Sequence, residues 1–153
     1  MLILIIIGLL LDGLLSTYIS TTTYFIPLLT VTTIYLIYPK FKHATKKYFV
    51  ILFITGVTYD LMYTNLLFFH SIIFIILGNI IKYIDNNLYQ NKFEKLLYLI
   101  LIIIIYELLI GLTFGIFKVS TITFQKLVYK ISHSLITNLI YALIVMPFTM
   151  KKT

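Results

Sequence analysis

Three carboxylates lie inside otherwise apolar runs: Asp12 in GLLLDGLL, Asp60 in GVTYDLMYT and Glu107 in LIIIIYELLIG. An acid in such a run costs roughly 2.5–3.5 kcal/mol on membrane-insertion scales, so each needs a partner or a task. Three kinds of chemistry are open to it. It can form a hydrogen bond that fixes helix packing, contact a partner protein's helix, or handle a ligand, an ion or a proton. Two histidines, His70 and His133, stand near the ends of apolar runs. No H-E-x-x-H or comparable spacing joins them to the acids, so a hydrogen-bonded or interfacial role is expected before a metal-binding one. No G-x-S-x-G elbow, P-loop or G-x-G-x-x-G is present. Ser132-His133-Ser134 puts a hydroxyl beside an imidazole in sequence, but adjacent helical residues point apart, so no catalytic dyad is expected there.

The elements that must position these groups follow from the apolar runs. The chain has 153 residues, 61% of them hydrophobic, and a mean hydropathy of +1.05. Soluble domains rarely exceed about half apolar, and several runs approach the ~20 residues that cross a bilayer as a helix. The expected fold is therefore an all-α integral membrane protein. It is a single transmembrane helical domain over residues 1–153, a compact bundle of about six helices. The runs are continuously apolar rather than alternating, which argues against a barrel. The spans fall at about Leu2–Tyr18, Tyr24–Tyr38, Tyr48–Tyr63, Leu66–Tyr83, Leu96–Phe117 and Leu127–Met150. The second is short for a full crossing. A tight turn is expected at Thr64-Asn65. Charged loops are expected at Pro39–Lys47 and Lys82–Lys95, and a polar linker at Lys118–Lys126. The N-terminus lacks a basic region and an A-x-A site, so it reads as a retained first helix.

The net charge of +7 comes entirely from lysines. They flank apolar runs, which marks them as topology signals and contacts for anionic membrane lipids rather than a nucleic-acid surface. With the N-terminus inside, nine lysines fall on the cytoplasmic side and three outside, which favours both termini in the cytoplasm. Cysteine is absent, which excludes disulfides and thiolate chemistry.

In this arrangement Asp12, Asp60 and Glu107 all lie about ten to twelve residues from their span starts, roughly 15–18 Å along the helix. They share one layer, at or slightly outward of the midplane, with His70 and His133 a little further out. Gly8 and Asp12 repeat the spacing of Gly56 and Asp60, G-x-x-x-D, and Glu107 is followed by Gly111. Residues i and i+4 share a helix face. A glycine one turn from an acid lets another helix approach and directs the acid toward protein.

The stretch GVTYDLMYTNLLFFHSIIFIILGNIIKYI resembles the signature region of the MreD family of rod shape-determining membrane proteins. Gly56, Tyr59, Asp60, Tyr63 and Thr64 match its Gly-x-x-x-Asp helix ending and YT-type turn. GLLLDGLLS resembles the family's first helix, with Asp12 in place. SLITNLIYALIVMPF resembles its last, with Asn138 and Pro147 at the expected separation. Two positions depart from the pattern. Phe68 stands where the family often has glycine, and Ser134 is near the place of a usual proline.

The resemblance implies a non-enzymatic, cofactor-free subunit of the cell-wall elongation (rod) complex in the bacterial cytoplasmic membrane. The implied partners are an MreC-like bitopic protein, the MreB filament, and a RodA-type glycosyltransferase with its transpeptidase. Gly8, Asp12, Gly56, Tyr59, Asp60, Glu107 and Asn138 are the candidates for partner binding or helix packing. The family is similar in architecture to the substrate-binding subunits of energy-coupling-factor vitamin transporters. A small-molecule-binding subunit of that kind is the alternative, with a pocket formed by Asp60, His70, Glu107 and His133. A roomy polar cavity would favour the transporter, and a closed core the scaffold. An intramembrane enzyme is a third reading.

Overall fold

The computed structural model describes residues 1–19, 27–64, 66–88, 91–116 and 124–149. Among these there are six helices and no strand. They are α1 (Leu2–Ile19), α2 (Leu29–Phe41), α3 (Thr45–Tyr63), α4 (Phe69–Asn87), α5 (Lys92–Ile116) and α6 (Phe124–Thr149). The turn residue Asn65, residues 118–123 of the polar linker, the expected start of the second span at Tyr24 and the lysine tail lie outside the described residues. The end of the bundle at which α1, α3 and α5 finish is termed the upper end.

α5 and the Gln125–Thr149 part of α6 are long and apolar enough to cross a membrane; Leu2–Thr17 is apolar but shorter. Several boundaries differ from the sequence reading. α3, α5 and α6 begin about three or four residues earlier than expected, and α4 continues to Asn87. The lysine-rich stretch Pro39–Lys47 is largely helical: Pro39 lies in the last turn of α2, and α3 begins at Thr45. Lysines at helix ends need not break a helix, since their stems extend along apolar surface while the ammonium reaches water.

The short second helix has a topological reason. α2 packs against all five other helices, and every residue from Leu29 to Tyr38 is buried. A helix buried on all sides, its threonine hydroxyls hydrogen-bonded, belongs at the centre of a bundle. Its 13 residues span roughly 20 Å at 1.5 Å per residue, so its N-terminus lies within the bundle rather than at its surface. Ile34, Ile37 and Tyr38 pack at its centre with Tyr48 and Leu52 of α3, Phe74, Leu77 and Ile81 of α4, and Leu99 and Ile102 of α5. At the lower end Lys40 donates to the Phe148 carbonyl of α6 at 2.7 Å. Lys42 pairs with Asp85 of α4 at 3.2 Å, so the end of α2 is tied to two neighbours.

Candidate functional site

The first four N–H groups of a helix have no partner within it. Where water is excluded, each one left unpaired costs free energy. α2 and α4 both start inside the upper half of the bundle, and in each case an acid from the preceding helix meets the exposed amides.

Asp12 of α1 accepts from the backbone N–H of Leu29 at 2.7 Å and of Thr30 at 2.9 Å, and from the Thr30 hydroxyl at 2.6 Å. Asn138 of α6 completes the start of α2. Its Oδ1 accepts from the Leu28 N–H at 3.3 Å and the Thr32 hydroxyl at 2.8 Å, while its Nδ2 donates to the Ser134 carbonyl at 2.7 Å. Asp60 of α3 does the same for α4. It accepts from the His70 N–H at 2.9 Å, from the Thr64 hydroxyl at 2.9 Å, and is 2.7 Å from His70 Nδ1. A carboxylate only accepts, so with Asp60 ionised Nδ1 carries the proton in that contact. Each carboxyl group also faces the positive end of a helix dipole.

The glycines one turn earlier make this geometry possible. A Cβ on Gly56 would come inside 3.0 Å of the Ser71 and His70 backbone, the first turn of α4. On Gly8 it would lie 2.9 Å from Thr33 Oγ1 and 3.3 Å from the Leu29 carbonyl of α2. G-x-x-x-D is thus a hairpin device used twice. Glycine admits the returning helix, and the acid caps it. Tyr63 adds a tie between the halves by donating to the Leu9 carbonyl. Tyr59 packs against His70 at 4.5 Å between ring centroids and against Tyr63 at 4.9 Å.

Glu107 differs from the two aspartates. It is 6% exposed, and no hydrogen bond to it occurs among the described residues. It lines a cavity of about 400 Å³ at the upper end, together with Asp12, Tyr59, His70, Tyr106 and Lys130. Of the four residues expected to form a transporter-type pocket, His70 and Glu107 are there. Asp60 lies behind His70 with 0% exposure, and His133, one turn along α6 from Lys130, is not among the lining residues and stacks on Tyr129 at 3.9 Å. Sequence reading missed Lys130, whose only signal was a lysine inside the sixth apolar segment.

Ser132 does reach His133, at 3.1 Å from Oγ to Nδ1, against the expectation that neighbours point apart. Both groups bend back to the Tyr129 carbonyl, Oγ at 2.9 Å and Nδ1 at 2.8 Å. A carbonyl only accepts, so Nδ1 donates to it and has no lone pair to serve as a base toward the serine.

One further feature accounts for a departure from pattern. Phe68, the residue before α4, has φ 64° and ψ 3°, the left-handed region. That conformation suits glycine and costs other residues roughly 1–2 kcal/mol. With Phe68 in that conformation, the His70 N–H two residues on meets Asp60.

Fold and site together define an all-helical protein, with α5 and α6 long and apolar enough to cross a membrane, whose buried aspartates hold its own hairpins together. The chain belongs to the family of the rod shape-determining protein MreD, whose family model matches residues 1–152. No match was found among curated proteins or among solved structures. Membership makes it a bacterial membrane protein of rod-shape determination, a structural role.

Proposed function

We propose that this chain is a non-enzymatic, multi-pass subunit of the cell-wall elongation complex in the bacterial cytoplasmic membrane, with six spans and both termini inside. In this reading it binds an MreC-like bitopic protein and, in the same assembly, the MreB filament, a RodA-type glycosyltransferase and its transpeptidase. Family membership over residues 1–152 carries the proposal. The excess of lysines on the inner side supports the orientation.

The internal bonding of the polar residues narrows the mode of binding. Gly8, Asp12, Gly56, Asp60 and Asn138 are all engaged within the chain's own bundle. Partner helices then dock on the apolar outer faces, by close packing rather than through buried acids. One such face is the Ile136, Ile140, Leu143 and Ile144 side of α6, exposed by more than half. The test is purification from membranes. Recovery with the MreC-like protein and the wall synthases is expected, and recovery of the chain alone would refute the reading. The cavity beside Glu107 favours a second reading, a small-molecule-binding transporter subunit. Recovery with an ATPase coupling module would establish it in place of the first.

A further inference from the structure

Of the three intramembrane acids, two are explained by the helices they cap. Glu107 is buried to a similar degree, at 6% against 4% for Asp12 and 0% for Asp60, yet it accepts no bond among the described residues. Unlike the Tyr35 and Tyr38 hydroxyls, which are sealed in without a partner, its carboxylate oxygens reach open space. Its surroundings supply a reason for its presence: it faces open space, and a lysine lines the same space. Lys130 and Glu107 line the same cavity but form no ion pair within 4.0 Å. Lysine has a long flexible stem. The two opposite charges thus face one cavity without meeting.

We propose that this cavity binds a small zwitterion, a molecule bearing a primary ammonium and an anionic group, with the ammonium on Glu107 and the anion on Lys130. A simple anion would leave Glu107 unpaired, and a simple cation would leave Lys130 so; a zwitterion completes both. The volume of about 400 Å³ lies in the range of roughly 300–1,000 Å³ for small-ligand sites. Tyr59, Tyr106 and Phe114 supply aromatic walls for the body of the ligand. Asp12, also in the wall, is engaged by the start of α2. A lysine takes carboxylate or phosphate as a point charge. Two sources therefore share the chemistry: a free amino acid, and the headgroup of phosphatidylethanolamine. The inference rests on neither reading of the protein's role, since a wall-complex subunit and a transporter subunit can each carry a ligand.

The test uses the full chain in phosphatidylglycerol nanodiscs, with the thermal unfolding midpoint as readout. One arm titrates free alanine and phenylalanine. The other replaces part of the lipid by phosphatidylethanolamine, with phosphatidylcholine, whose quaternary ammonium cannot donate a hydrogen bond, as the control. A rise of the midpoint is expected in one arm, and that arm names the source. Glu107→Gln and Lys130→Gln should each weaken the effect roughly tenfold or more, the scale of one charged hydrogen bond. Glu107→Gln removes a buried charge at nearly constant shape, so the unliganded variant should be no less stable than the parent. If it does not fold, Lys130→Gln, at a half-exposed position, carries the test alone. No stabilisation in either arm, or a stabilisation that both variants retain, overturns the proposal. Loss in only one of two folded variants also overturns it, reducing the site to one for a simple ion.

Discussion

Replacing Asp60 by leucine should destabilise the bundle by several kcal/mol, and the estimate can be built from its contacts. The carboxylate is wholly buried and receives the His70 amide, the His70 ring nitrogen and the Thr64 hydroxyl. Leucine keeps the branching, adds volume at a fully packed site and removes the acceptor. Thr64 is half-exposed and can turn elsewhere, whereas the two His70 donors are in a residue only 3% exposed. A stranded buried donor costs about 1–3 kcal/mol, so two give roughly 2–6 kcal/mol. Asparagine retains one acceptor oxygen and should lose about half as much. The assay is equilibrium unfolding of the parent, Asp60→Asn and Asp60→Leu in one bilayer mimic, combined with His70→Phe in a double-mutant cycle. The cycle should be strongly non-additive, because His70→Phe removes a ring donor that Asp60→Leu has already stranded. A leucine variant within about 0.5 kcal/mol of the parent, the range of ordinary surface changes, would refute the capping argument.

Other outcomes follow from the same geometry. Gly56→Ala should cost roughly 1–3 kcal/mol by overpacking against the backbone of α4, whereas Gly115→Ala, where a Cβ meets nothing within 4 Å, should be neutral or stabilising; paired unfolding measurements would show it. Phe68→Gly should be more stable than Phe68→Ala by about 1 kcal/mol, since only glycine escapes the left-handed penalty while both lose the stacking on Phe53; equal midpoints would contradict it. Asn138→Ala should cost about 2 kcal/mol by leaving the Leu28 amide and the Thr32 hydroxyl without an acceptor. Faster hydrogen exchange confined to the first turn of α2 would localise the loss.

The apolar runs alone determined that the chain is helical and membrane-bound, and the 3.6-residue period placed each glycine on the face of its acid. Because the odd-numbered helices run the same way, counting residues also put Asp12 and Glu107 at one level, and both line one cavity. Periodicity says which residues share a face, but not what lies opposite. Only the packed bundle decided that Asp12 and Asp60 cap the chain's own returning helices and that α2 is short because it starts inside. The same is true of Phe68, whose left-handed backbone runs against the preference of a bulky residue. Glu107 looked like the other two acids in sequence. Its difference is that, among the described residues, no helix start donates to it, a property of the neighbouring elements rather than of its own segment.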